Sequence, residues 1–462
     1  MGTANTELFE SKPIHQAIIT LVIPTIISQI ITVIYNMADT FFIAQLNEPD
    51  QVAAATLIMP PFIMLTAIAN LFGIGGASLI SRSLGQGDRV KAGRAAALSL
   101  WSAGAVALIY GLFIYLFRPV LFPLLGADAA TYDYCVSYVF WTIAIGAVPT
   151  VISACLAHLV RAEGYARQAS LGVALGGILN IVLDPIFIFS LGLGITGAAI
   201  ATMLSNVAAT GYFLRLLHRN RHQTVIKLSR RYLALGQGLL KEILLVGFPS
   251  FLMMLMSIFS NTILNRLVVS YSNQAIAGMG IAKKIDMLAF AMAGGFTQGV
   301  MPLIGYNYAA KNFKRMRDAI KTAFIFSLTA AAIITLGLYF GAVSLIRFFI
   351  RDGLTISFGQ HFLRIICLTS IPIAVTLMII SIFQATGQKL KPMVLSLLRK
   401  GGLDVPLMFL MNSVAGVQGI PWATPMADGL AMSTAVALFI PYWRSLKDQV
   451  TKSEQNMTKV IR

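Results

Sequence analysis

Apolar runs of 20 or more residues recur from one end of this 462-residue chain to the other, and no water-soluble fold could bury all of them. An α-helix rises 1.5 Å per residue, so about 20 such residues cross the roughly 30 Å hydrocarbon layer of a bilayer. Twelve runs qualify, near residues 15–44, 52–80, 95–117, 134–157, 167–190, 195–217, 240–268, 275–305, 319–346, 362–385, 392–413 and 418–440. The expected fold is all-α, a polytopic membrane protein of 12 transmembrane helices. Composition agrees: 57% of residues are hydrophobic and 11% charged, where a soluble domain carries about 25% charged residues.

A net charge of +17 in a soluble domain would point to nucleic acid. Here it has a membrane source, because cytoplasmic loops collect Lys and Arg. With the N-terminus taken as cytoplasmic, 26 of the 35 Lys and Arg fall on that side, five on the other, and four within the runs. Both termini are expected in the cytoplasm, in the inner membrane of a bacterial-type cell, with no nucleic-acid partner. The segment up to Pro13 has no basic n-region and the first run has no small-residue cleavage pattern, so the first helix itself should direct insertion.

The three cysteines, Cys135, Cys155 and Cys367, are odd in number and far apart, which leaves neither a disulfide framework nor a CxxC metal site. Gly192 to Gly197 spells GxGxxG, but between two apolar runs and without a βαβ unit it reads as a tight turn. No phosphate-binding GxxxxGK[ST], no HExxH and no nucleophile with a base at usable spacing occur. The sequence therefore predicts no catalytic residues, no metal centre and no cofactor beyond a coupling ion, H⁺ or Na⁺.

The chain repeats itself. A shift of 222 to 225 residues sets Pro24 on Pro249, Asn36 on Asn261, Pro149 on Pro372 and Gly164 on Gly387, and it sets Gly194, Gly197, Ala201 and Thr202 on Gly416, Gly419, Ala423 and Thr424. Six helices were duplicated, and since six is even the copies are parallel repeats with the substrate path at their interface. The expected organisation is an N-terminal six-helix lobe at 1–217, a basic cytoplasmic linker at 218–239, a C-terminal lobe at 240–441 and a cytoplasmic tail at 442–462.

Ionisable side chains inside spans cost at least about 2.5 kcal/mol each at the bilayer centre, so those retained mark function or a satisfied packing network. Asp39 in the first run has Tyr35 and Asn36 on its helical face. Asp184 in the fifth run has Asn180 one turn earlier and Pro185 directly after it. Lacking an N–H, Pro185 frees the carbonyl of Ile181. These groups could form an oxygen-rich cation site for H⁺ or Na⁺, or simply pack the helices. In the second half, Lys283, Lys284, Asp286, Arg399, Lys400 and Asp404 suit substrate contact or gating, or the i, i+3 and i, i+4 pairs Lys283–Asp286 and Lys400–Asp404. Met253 and Met256 suit an adaptable cavity for varied apolar cations, or ordinary packing. Pro24, Pro60, Pro61 and Pro249 predict kinks, and Pro24 is the candidate bend between two arrangements of the first helix.

Leu21-Val22-Ile23-Pro24, the stretch Tyr35 to Thr40, Arg161-Ala162-Glu163-Gly164 and Asn180 to Pro185 together resemble the multidrug and toxic compound extrusion (MATE) family, most closely its prokaryotic DinF-like branch. The resemblance runs from Leu21 to about Pro441. It implies a V-shaped pair of six-helix lobes that exports cationic, lipophilic compounds in exchange for H⁺ or Na⁺. It also implies coupling roles for Asp39, Asn180, Asp184 and Thr202. The second-half acids depart from the Na⁺-binding patterns of other branches because Lys and Arg stand beside them. The leading expectation is a monomeric, proton-coupled multidrug antiporter among membrane lipids. The alternatives are a lipid-linked precursor flippase or polysaccharide exporter, and an intramembrane enzyme or assembly factor.

Overall fold

The computed structural model describes residues 6–46, 48–233 and 238–461, and among these the regular structure is helical throughout. The first repeat contains α1 (Thr6–Glu10), α2 (Ile14–Ala44), α3 (Pro49–Gly85), α4 (Arg89–Leu116), α5 (Arg118–Leu125), α6 (Tyr132–Val139), α7 (Ala147–Ala162), α8 (Ala166–Pro185) and α9 (Gly194–Arg219). The second contains α10 (Leu239–Val269), α11 (Asn273–Ala309), α12 (Phe313–Phe349), α13 (Gly353–Ile366), α14 (Ser370–Ala385), α15 (Leu390–Leu397), α16 (Asp404–Gly419) and α17 (Ala423–Ile461). Three π-helical segments, Phe140–Ile145, Ile186–Ser190 and Leu398–Leu403, interrupt the spans. The second directly follows Asp184 and Pro185, and the third directly precedes Asp404.

Ten described helices are long and apolar enough to cross a membrane, and α6 with α7, bent by 49°, makes an eleventh. The last of the ten, Leu390–Gln455, is 66 residues long, about three times what a bilayer needs. It is broken at Ala415 (φ −136°, ψ 16°) and Gly416 (φ 56°, ψ −142°), and α16 packs on α17 beyond the break. Two spans therefore share that run, which brings the total to the twelve expected. α17 continues as helix through the region expected to be a tail.

The backbone preserves the repeat at its turns. Gly194 and Gly416, equivalent under the 222-residue shift, have φ of 55° and 56°, and Gly164 and Gly387 have φ of 91° and 74°. Only glycine enters that region without strain.

The chain divides into two compact units that do not follow sequence order: Ile27–Met254 belongs to the first, and Glu7–Ile26 with Leu255–Arg462 to the second. The opening half of α2 is thus part of the second unit, and the opening half of α10 part of the first. The changeovers follow Pro24 and Pro249, equivalent residues whose missing N–H weakens the helix locally. In the first unit a Cβ on Gly247 of α10 would lie 1.8 Å from the Leu71 carbonyl oxygen, and one on Gly75 of α3 would lie 2.1 Å from that of Ile243. In the second unit a Cβ on Gly299 of α11 would lie 2.9 Å from Val22 Cα. Each exchanged half-helix is therefore pressed backbone to backbone against the second span of the unit it joins.

Two connecting segments are clamped onto these units. In the second, Arg315 donates to the carbonyls of Phe9 (2.6 Å) and Lys12 (2.5 Å), Asn307 donates to Phe9 at 3.1 Å, and Phe9 stacks on Tyr306. In the first, the basic linker expected at 218–239 lies against Glu163 through residues 224–226. Trp101 Nε1 donates to the Leu228 carbonyl at 3.1 Å. Residues 234–237 of that linker lie outside the described residues.

Candidate coupling site and charge cluster

In the first unit, the 3.6-residue period of α8 puts Asn180 and Asp184 on one face, where α9 presents Thr202. Asn180 Nδ2 donates both to Asp184 Oδ1 at 3.1 Å and to Thr202 Oγ1 at 3.2 Å. All three are buried, with Asp184 0% and Asn180 2% exposed. Asn180 Oδ1 and Asp184 Oδ2 are buried without a hydrogen-bond partner among the described residues. Polar groups buried without a partner are costly, so both oxygens are poised to meet a proton, an ion or water.

The face of α2 that carries Tyr35 packs on α8: a Cβ on Gly177 would meet Ile31 Cγ2 at 2.9 Å and Tyr35 Cδ1 at 3.2 Å. Asp39 and Asp184 lie within electrostatic range of each other and of Tyr35 and Tyr138. Asn36 Nδ2 donates to the carbonyl of Thr32 on its own helix at 2.8 Å, and the Asn36 carbonyl accepts from Thr40. The structure thus gathers Asp39, Tyr35, Asn180, Asp184 and Thr202, and Asn36, besides its bond to its own backbone, also has a side-chain hydrogen bond with Tyr35. Tyr138 was not read from the sequence. Its one signal there is a hydroxyl in the fourth apolar run, at the end of α6, which Ser137 ties to Thr196 of α9 at 2.6 Å. Five residues beyond Asp39, Ala44 joins Glu48, Val52, Leu57, Asp128 and Thr131 around a cavity of about 740 Å³, a size that takes drug-like molecules.

The second unit holds a different arrangement. Arg399 Nε meets Asp428 Oδ1 at 2.6 Å with both side chains almost fully buried, and Lys400 Nζ meets Asp404 Oδ2 at 3.0 Å. Ser260 donates to the same Asp404 oxygen at 2.6 Å. The Lys400–Asp404 pair is the i, i+4 pair read from the sequence. Lys283 does not close the expected pair with Asp286: its Nζ donates to Asn261 Oδ1 at 3.1 Å. Asp428, the partner of Arg399, was missed although it is an acid inside the twelfth run, four residues after Thr424 and at the position equivalent to Asn206. Met256 lies beside the cluster, its sulfur 2.8 Å from where a Cβ on Gly401 would stand. Met253 is half-buried on the first unit's side of the changeover.

Glu163 carries more than its motif suggested. It ends α7, is 1% exposed, and accepts from Thr224 Oγ1 at 2.8 Å and from the N–H of Val225 at 2.5 Å and Ile226 at 3.3 Å. Burial raises its pKa to about 7, against the pull of those donors toward the charged form. Among the described residues no group of three or more His, Cys, Asp or Glu could hold a metal ion.

A family model described as MatE matches residues 24–186 and 249–410, once in each repeat. The multidrug export protein MepA of Staphylococcus aureus (strain NCTC 8325 / PS 47) is 29% identical over 448 residues, which cover 96% of each chain. A solved structure described as the outward-facing conformation of a multidrug resistance MATE family transporter of the MOP superfamily superposes with a TM-score of 0.89 at 26% identity, over 97% of this chain and 100% of that one. Another, described as MATE in the bent conformation, gives 0.85 at 26% identity over 97% and 99%.

Proposed function

The chain belongs to the MatE family, and from that premise we propose that it is a proton-coupled antiporter exporting cationic, lipophilic compounds across the inner membrane by alternating access. It is a multi-pass membrane transporter that effluxes multiple drugs, not an enzyme. The observation that carries the coupling reading is the Asn180 amide shared between Asp184 and Thr202 with Asp39 in range. Two charged carboxylates in electrostatic range repel, and a single proton relieves both the repulsion and one buried charge. The protonated and deprotonated pairs then favour different arrangements of α2 and α8, which is what coupling requires. Pro24 allows α2 to take those arrangements by a change of bend. Tyr35 supports the acids, and the cavity beyond Ala44, with Glu48 and Asp128 on its wall, suits an amphipathic cation.

Sodium is the second reading, supported by the same oxygens. A flippase would use cations such as Lys283, Lys284, Arg399 and Lys400 to hold phosphate, and two of these, Arg399 and Lys400, already hold carboxylates. Each proton returning down one pH unit supplies about 1.4 kcal/mol, a tenfold drug gradient. Purified protein in proteoliposomes, loaded with a cationic dye, separates the readings. Efflux should follow an imposed ΔpH and ignore a Na⁺ gradient at constant pH. Efflux driven by Na⁺ alone would replace the proton with sodium, and efflux indifferent to both would remove coupled antiport.

A further inference from the structure

Three of the second unit's intramembrane cations, Lys283, Arg399 and Lys400, are unequally engaged. Arg399 is held by Asp428 and Lys400 by Asp404. Lys283 differs: its only hydrogen-bond partner among the described residues is the neutral carbonyl of Asn261. An ammonium has three donors, so one bond to an amide leaves it unsaturated; Asp286, Asp404 and Asp428 lie within electrostatic range, but none of them is bonded to it. Intramembrane charges of this kind face a water-filled space or a partner rather than lipid. The face of α11 around Lys283 is open. A Cβ on Gly280, one turn earlier, would meet nothing within 4 Å, Met287, one turn later, is 44% exposed, and Asn261 is exposed.

We propose that Lys283, oriented by Asn261, is a specificity-determining subsite that receives an acidic group, such as a carboxylate, on an exported amphiphile. The proposal rests on the multidrug-export reading, and it names one residue by which the transporter would distinguish exported compounds that carry an acid from those that do not. Asn261 fixes the direction of the ammonium, the open face of α11 leaves room for the ligand, and Met287, one turn along, supplies adaptable apolar contact. Arg399 and Lys400 do not compete for the acid, since each already has its carboxylate. The ligand chemistry required is an anionic oxygen pair within reach of one ammonium, on a scaffold apolar enough to cover Met287.

The test uses a matched pair of probes, a rhodamine with a free ring carboxylate and its methyl ester, bound to the full-length protein in detergent and read by fluorescence anisotropy. Lys283→Gln should weaken binding of the carboxylate dye about tenfold and change the ester less than about twofold, and Lys283→Arg should restore the carboxylate dye. Equal weakening of both dyes would mean that Lys283 only shapes the helix, and no change in either would mean that it does not touch ligand. Each result overturns the proposal. So does displacement of the carboxylate dye by short-chain phosphatidylglycerol at concentrations below the dye's own Kd, which would assign the subsite to a lipid headgroup. Because binding is read without transport, failure of both dyes to leave proteoliposomes would count against the export reading and not against a Lys283-dependent difference in binding.

Discussion

The two repeats share a frame and differ in how they treat buried charge. In the first unit a neutral amide is shared between a carboxylate, Asp184, and a hydroxyl, Thr202, with the Asp39 carboxylate in electrostatic range. In the second, Asp404 and Asp428 each lie against a cation. Thr202 and Thr424 are equivalent, yet four residues on the first repeat has Asn206 and the second Asp428. An opposite charge beside a carboxylate favours its charged form, whereas a second carboxylate disfavours it. On the coupling proposed above, this difference in countercharge would leave the titrating role to the first unit and a structural role to the second.

That contrast can be broken at several points. The largest effect is expected from Asp39→Asn and Asp184→Asn, each of which should reduce ΔpH-driven dye efflux in proteoliposomes to the protein-free background at normal expression. Wild-type efflux in both would end the assignment of titration to the first unit. Next comes Asp428→Asn, which leaves the buried Arg399 without its countercharge. A loss of about 3 to 5 kcal/mol should appear as a lower unfolding midpoint in detergent, with most of it recovered in Asp428→Leu combined with Arg399→Met. Retained stability in the single variant would mean that the second unit's pair is solvated after all.

A smaller effect compares the interlocking glycines. Gly75→Ala would press a Cβ to 2.1 Å from a backbone oxygen and Gly299→Ala to 2.9 Å from a backbone carbon. Thermal unfolding should show a cost of about 1 to 3 kcal/mol for each, with Gly75 the more severe. The smallest concerns Glu163. Its pKa in the docked state, about 7, lies above its ordinary value, so the docked linker binds the proton more tightly than the free one. Docking is therefore tighter on the acid side and is lost as pH rises through 7. Limited proteolysis near Arg221 should be about tenfold faster at pH 8 than at pH 6, and Glu163→Gln should abolish the difference.

Much of this was legible in the sequence where one helix carries the whole message. Asn180 and Asp184 are one turn apart, so their shared face follows from helical periodicity alone, as does the Lys400–Asp404 pair. The equivalence of Gly194 with Gly416 was visible as a repeat, and their matching φ values give it a physical cause. What depends on a second helix was not legible. Asp428 meets Arg399 only through the packing of α17 on the segment before α16, and Lys283 passes over the nearby Asp286 for Asn261 on α10. Glu163 was noticed as part of a motif, but its partners lie some 60 residues onward in a linker that composition marks only as basic. The changeover of α2 and α10 between units was likewise invisible, because a proline says where a helix can bend and not what its two ends will touch.

The exchanged half-helices bear on the order in which the molecule can be built. Val22 emerges from the ribosome early, yet the backbone it rests against, at Gly299, is made 277 residues later. At about 5 to 20 residues per second the opening half of α2 waits roughly 15 to 55 seconds for its neighbour. The first unit, in turn, is incomplete until residues 239–254 have been made. Neither half of the chain, expressed alone, contains a finished unit. The nascent protein has to keep an apolar segment ending at Pro24 unmated in the bilayer while most of the first repeat folds beside it.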